Sequence, residues 1–143
     1  MTALPPVAEL VAHLRDQGIV LPPGPVRVDG YGDSPELSAA LLALIREGPK
    51  RAGTSLLWSL QAEGEALPEP GQIEIVVDHH NLPALVTRVT DVRVVAFDDV
   101  SAAYAAIEGE GDGSLAHWRR GHWAYFSREC QRLGREPRLD MPV

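Results

Sequence analysis

Apolar residues return at helical spacing over residues 7–17, where Val7, Leu10, Val11 and Leu14 share one stripe ahead of Gly18. That spacing predicts a short amphipathic helix. The pattern then breaks. Pro22, Pro23, Gly24, Pro25, Gly30 and Gly32 predict a wrapping arm with a short strand at Val26–Val28. Ser34-Pro35-Glu36 has the chemistry of a helix start, with Ser34 as cap and Pro35 in the first turn. Leu37, Ala40, Leu41, Leu44 and Ile45 form its expected buried stripe, and Gly48-Pro49 ends it. The short apolar run Ser55–Leu60 predicts a buried strand. Ile73–Val77 predicts an alternating strand, followed by a hairpin turn at Asp78-His79-His80-Asn81. Leu85–Phe97 is rich in β-branched residues and is expected to split into two strands at a bend near Asp91 and Arg93.

Helical spacing resumes over Asp98–Ile107 through Val100, Ala103, Tyr104 and Ile107. The acidic run Glu108–Gly113 is too glycine-rich for a helix, and Ser114 then caps a long helix reaching about Leu133. On an ideal wheel Leu115, Trp118, His122, Tyr125, Phe126, Glu129 and Leu133 fall within about 100°. Trp123 and Ser127 lie off that stripe. Four or five strands set among helices, without regular βαβ alternation, predict an α+β fold with a small, strongly bent sheet or barrel. Residues 1–30 read as an N-terminal helix and arm, and residues 31–143 as the main domain.

With 143 residues, 45% apolar and 23% charged, the chain has the composition of an ordinary globular domain. No apolar run approaches the roughly 18 residues of a membrane span, and no signal pattern opens the chain, so a cytoplasmic protein away from membranes is expected. Cys130, the only cysteine, reads as a buried structural thiol. The net charge of −7 argues against broad nucleic-acid binding, but it is unevenly placed. Residues 1–113 carry 7 cations and 17 acids (−10), and residues 114–143 carry 6 arginines and 3 acids (+3). A contact with phosphate would therefore be small and local.

Three constellations carry chemistry. Lys50 and Arg51 stand between Pro49 and Gly53 at the joint after the second helix, a turn that suits either a site or a solvated helix end. The acidic loop can set a carboxylate opposite Lys50, and a Lys–carboxylate pair in a partly dry pocket supports proton transfer. As a calcium loop it fails, because the twelfth place from Glu108 is Arg119. His122 and Glu129 are ionisable groups inside an aromatic stripe and need partners if buried. His79 and His80 would splay to opposite sides of an extended backbone, which suits joint chelation poorly.

Gly48-x-Lys50, Ser55-Leu-Leu-Trp58 and EGEGDGSLAHWRRGHWAYFSRE at 108–129, in that order, resemble the ASCH domain family from about Tyr31 to Val143. The resemblance implies a PUA-like fold: a small, strongly bent β-barrel with flanking helices. It also implies binding of RNA or a modified pyrimidine nucleoside. Some family members are RNA- or nucleoside-directed hydrolases, and small ones deacylate N4-acetylcytidine with a Lys, a Thr three residues later and a Glu. Carried over, Lys50 matches the Lys and Glu110 best matches the Glu. Gly53 takes the third place after Lys50, and Thr54 comes one later. In an extended segment that shift turns the side chain to the opposite face, unless a bulge at Gly53 restores it.

The expected catalytic residues are thus Lys50, Glu110, Thr54 and, more weakly, Ser127. Arg51, Ser55, Asp112, Trp118, Arg119 and His122 are expected to bind the ligand, with Trp118 and His122 as a base-facing wall. No cofactor and no dedicated metal site are expected, with a divalent metal compatible as an addition. Family members usually continue beyond the place of Val143 into a closing strand. The sheet edge left here points to a monomer or weak homodimer. The competing readings are a non-catalytic module that reads a single-stranded or modified base, and an interaction protein in which Lys50 and Glu110 form only a salt bridge.

Overall fold

The computed structural model describes residues 3–143. Its elements are α1 (Val7–Asp16), β1 (Val26–Gly30), α2 (Pro35–Glu47), α3 (Leu57–Ala62), β2 (Ile73–Val77), β3 (Pro83–Arg88), α4 (Ala102–Glu108) and α5 (Leu115–Leu133), with a 3-10 turn at Phe97–Asp99. The class is α+β. The chain divides into two compact units, one built from residues up to Arg46 with Pro68–Val92, the other from Glu47–Leu67 with Arg93–Val143.

The first unit holds the sheet, in the order β1-β2-β3. β1 runs parallel to β2, with Val26 opposite Ile73, and β3 runs antiparallel to β2, with Arg88 opposite Ile73. All five residues of β2 are buried, so the expected in–out alternation is absent. A central strand covered on both faces reads as a continuous apolar run, interrupted here only by Glu74. Ile75 and Val77 pack with Leu10 and Leu14 of α1, and each such fully buried side chain contributes roughly 1.5–3 kcal/mol. In the expected hairpin turn, Asp78 Oδ1 accepts the amides of His80 at 2.8 Å and Leu82 at 3.1 Å. In α2, Ser34 Oγ caps the Leu37 amide at 3.1 Å, as its sequence predicts. Its buried face is Ser38, Leu41 and Leu42, while Ala40 is exposed.

The second unit packs Leu56, Trp58, Phe97, Val100, Trp118, Phe126, Cys130 and Met141 into one core. Here the structure corrects the sequence reading. Ser55–Leu60 was expected as a strand, but from Leu57 it coils into α3. A run this short has no periodicity of its own; Leu56 enters the core from the extended residue before α3, and Trp58 from the first turn of the helix. Only part of Leu85–Phe97 is regular strand. β3 ends at Arg88, and further on Val95 and Phe97 pair with the chain's last residues through Val95–Val143 and Phe97–Met141 hydrogen bonds of 2.9–3.0 Å. Among the described residues the regular strands do not close into a barrel. The regular strands make one open sheet, because the segment after Lys50 gives a helix and the segment after Arg88 leaves the ladder. Trp123, expected off the buried stripe of α5, also packs on this core, with its ring centroid 5.5 Å from that of Phe97.

Candidate functional site

Lys50 is 2% exposed, and three backbone features place it. Gly48-Pro49 stops α2. The Arg51 amide donates to Ile107 O at 2.9 Å, fastening this segment to the end of α4. Gly109 closes α4 with φ +65°, and a Cβ there would lie 2.9 Å from Pro49 C and 3.0 Å from Lys50 N. Only glycine allows so close an approach in that conformation. α4 starts on Ser101, whose Oγ accepts the Tyr104 amide at 3.1 Å, and α5 starts on Ser114, whose Oγ accepts that of His117 at 3.1 Å.

These elements bring four charged or ionisable groups together. Lys50 Nζ donates to Ala52 O at 2.7 Å and stands 3.4 Å from both Glu108 Oε2 and Glu110 Oε2. His122 Nε2 lies 2.9 Å from Glu108 Oε2 and 3.7 Å from Glu110 Oε2, and its Nδ1 lies 3.0 Å from Trp118 O. The Thr54 hydroxyl donates to Glu108 Oε1. It also lies 3.3 Å from Tyr104 Oη, which in turn donates to Gly53 O at 2.7 Å. Of the charged members Glu108 is the most buried, at 1% side-chain exposure, and Glu110 the most open, at 21%.

The two carboxyls are pushed apart. Burial works to raise the pKa of Glu108, but hydrogen bonds from His122 and Glu110, with the charges of His122 and Lys50, outweigh it and hold this carboxylate well below its usual range. Glu110 moves the other way: burial first, then its hydrogen bond to Glu108, raise it to about 7, against the pull of Lys50. Burial also raises the Tyr104 phenol.

The expected residues fall into two groups. Lys50, Thr54, Glu110 and His122 converge. Gly53 resolves the one-residue displacement of Thr54, since its carbonyl is held by Tyr104 while the Thr54 side chain faces Glu108. The remaining expected residues have other surroundings. Arg51 is exposed and donates to Lys50 O at 2.7 Å and Gly48 O at 3.1 Å, stapling its own turn. Ser55 is exposed beside Thr54. Asp112 is exposed and accepts the Ser114 amide at 2.9 Å; a hydrogen bond from the Ser114 side chain, and then this amide, hold its carboxyl below the usual range. Arg119 reaches Asp98 O at 3.3 Å. Ser127 follows His122 by five residues, roughly 140° away around α5. Trp118 is 2% exposed, so its ring cannot serve as a wall for a base; it stacks under His122 at a centroid distance of 4.2 Å and forms the floor of the cluster.

Glu108 and Tyr104 are the members that the sequence reading did not select. Their signal is the i, i+4 spacing that puts both on one face of α4. The apolar pattern favoured Ile107 instead, which is 51% exposed.

The chain matches a family model described as the ASCH domain over residues 28–143. It is similar to the crystal structure of an ASCH domain from Lactobacillus crispatus JV V101, with 36% identity over 82% of this chain and 74% of that one, and a TM-score of 0.75. It is also similar to the crystal structure of a protein from Enterococcus faecalis V583, with 27% identity over 95% and 84% of the two chains and a TM-score of 0.75. Comparison with curated proteins gives no match. No helix among the described residues is long and apolar enough to cross a membrane. The extent of the family match and the likeness to a solved ASCH domain lead to one conclusion: this chain belongs to the ASCH domain family.

Proposed function

We propose that the chain is a small hydrolase acting on RNA or a modified pyrimidine nucleoside, and that N4-acylcytidine is the substrate type its residues suit best. The observation that carries this reading is the hydrogen bond from Thr54 Oγ1 to the buried carboxylate of Glu108, which Lys50 and His122 hold from the other side. A hydroxyl paired with a base that a third group orients is the arrangement of an activated nucleophile.

In this reading Thr54 Oγ attacks the acyl carbon while its proton passes to Glu108 Oε1. The C–N4 bond then breaks, Glu108 returns the proton to N4, and cytidine leaves an acyl ester on Thr54. Water adds to the ester with Glu108 as base. The proton goes back to Thr54 Oγ, and the carboxylic acid departs. Lys50 keeps Glu108 ionised and fixes its orientation. The reading includes a cytoplasmic protein that is monomeric or weakly dimeric.

A second reading, a non-catalytic module for RNA or a modified base, is favoured by one observation. Glu108 is held well below its usual range and is therefore a weak base at rest. A fixed carboxylate can instead accept the amino group of a cytosine-type base.

The test incubates the protein, Thr54→Val and Lys50→Ala with N4-acetylcytidine and with single-stranded RNA, each with and without Mn2+. The expected result is release of cytidine by wild type and its loss in both variants. Wild type that turns over neither substrate removes the hydrolase. RNA retained without turnover establishes the binding module instead.

A further inference from the structure

We propose that Glu108, Glu110 and His122 form a seat for one divalent transition-metal ion of the Mn2+ or Zn2+ class. One donor atom from each residue lies within 4.8 Å of the other two. His122 Nε2 is 2.9 Å from Glu108 Oε2 and 3.7 Å from Glu110 Oε2. Ligand bonds of about 2.0–2.2 Å set neighbouring donors roughly 3–3.5 Å apart, so the three need only small adjustments.

The orientation of His122 fits the role of a ligand. Its Nδ1 lies 3.0 Å from the Trp118 carbonyl, which can only accept, so Nδ1 carries a hydrogen. Nε2 then faces the Glu108 carboxylate at 2.9 Å. A backbone carbonyl on the other ring nitrogen is the usual way a metal-binding histidine is oriented. Lys50 lies beside the seat. Its short contact, 2.7 Å, goes to Ala52 O, while both carboxylates stand at 3.4 Å, long for a charge-assisted hydrogen bond. Two carboxylate oxygens and one imidazole nitrogen suit Mn2+ or Zn2+ better than an all-oxygen cation. Glu108 also has an oxygen for each task, Oε2 toward the metal and Oε1 toward Thr54.

The experiment titrates the full chain with Mn2+ alone and follows free Mn2+ by electron paramagnetic resonance. Wild type, Glu110→Gln, His122→Ala and the loop variant Asp112→Asn are compared. One site per wild-type chain is expected, weakened at least tenfold in the first two variants and unchanged in Asp112→Asn. No binding by wild type, or equal binding by all four proteins, overturns the proposal. Should His122→Ala fail to fold, Glu110→Gln and nitrogen NMR of the His122 ring decide. A ring that keeps protons on both nitrogens in Zn2+-saturated protein means that a proton holds the seat, which also overturns it. These readouts use no substrate, so the metal site and the hydrolase stand or fall separately.

Discussion

Thr54 donates its hydroxyl to one oxygen of Glu108, while Lys50 and His122 meet the other oxygen of that carboxylate at 3.4 and 2.9 Å. One buried carboxylate thus joins the segment after α2 to α4 and α5. Its burial is tolerable only because cations and donors surround it.

Tyr104 is expected to position Thr54 without touching substrate, since its hydroxyl holds Gly53 O at 2.7 Å and lies 3.3 Å from Thr54 Oγ1. Tyr104→Phe should lower kcat about tenfold, leave KM nearly unchanged and reduce stability by about 1 kcal/mol. Steady-state kinetics and urea unfolding check both parts. An unchanged kcat would remove Tyr104 from the site.

The glycines of the second unit should respond in opposite directions. Gly109→Ala meets the backbone of Pro49 and Lys50 at a positive φ and should destabilise by about 1–3 kcal/mol. Gly121 lies within α5 with nothing near its Cβ position, so Gly121→Ala should stabilise by about 0.5–1 kcal/mol. Thermal unfolding of the two variants checks the signs.

Stability should depend on pH through Glu74, a buried acid on β2. Burial first, and then Asp29, raise it from 4.5 to about 7, with Arg27 opposing. The folded chain therefore holds this proton to higher pH than the unfolded chain. The stabilisation is complete below pH 4.5 and is lost as pH rises through about 7. Glu110 shifts in the same direction, so Glu74→Gln should reduce the fall in urea midpoint across that window without abolishing it. A wild-type slope in the variant would contradict this assignment.

Arg135 lies over the Trp58 ring at 3.6 Å from its centroid. Arg135→Ala should cost about 1 kcal/mol, a loss that added salt reproduces only in part, because the ring contact includes packing as well as charge. Chemical unfolding at two ionic strengths checks this.

Much of this structure was legible in the chain where local chemistry decides. Ser34 and Ser114 began their helices as their caps require, and Asp78–Asn81 turned the hairpin. Lys50, Thr54, Glu110 and His122 were legible through their motif, and the structure adds their meeting. Tertiary packing decided the rest. Ser55–Leu60 has too few residues to show a period, so only the core around Trp58 selects helix. Glu108 stayed hidden because apolar pattern turns a helix by its hydrophobes. α4 is rotated so that Glu108 enters the interior and Ile107 does not, and partners from α5 and the Lys50 segment repay that burial.

The most direct test of the Thr54–Glu108 pair is mass analysis of the protein quenched during turnover of N4-acetylcytidine. An acetyl group mapped to Thr54, absent from Thr54→Val along with at least about a thousandfold of the rate, is the predicted result. Cytidine release that leaves Thr54 unmodified and survives Thr54→Val would contradict it.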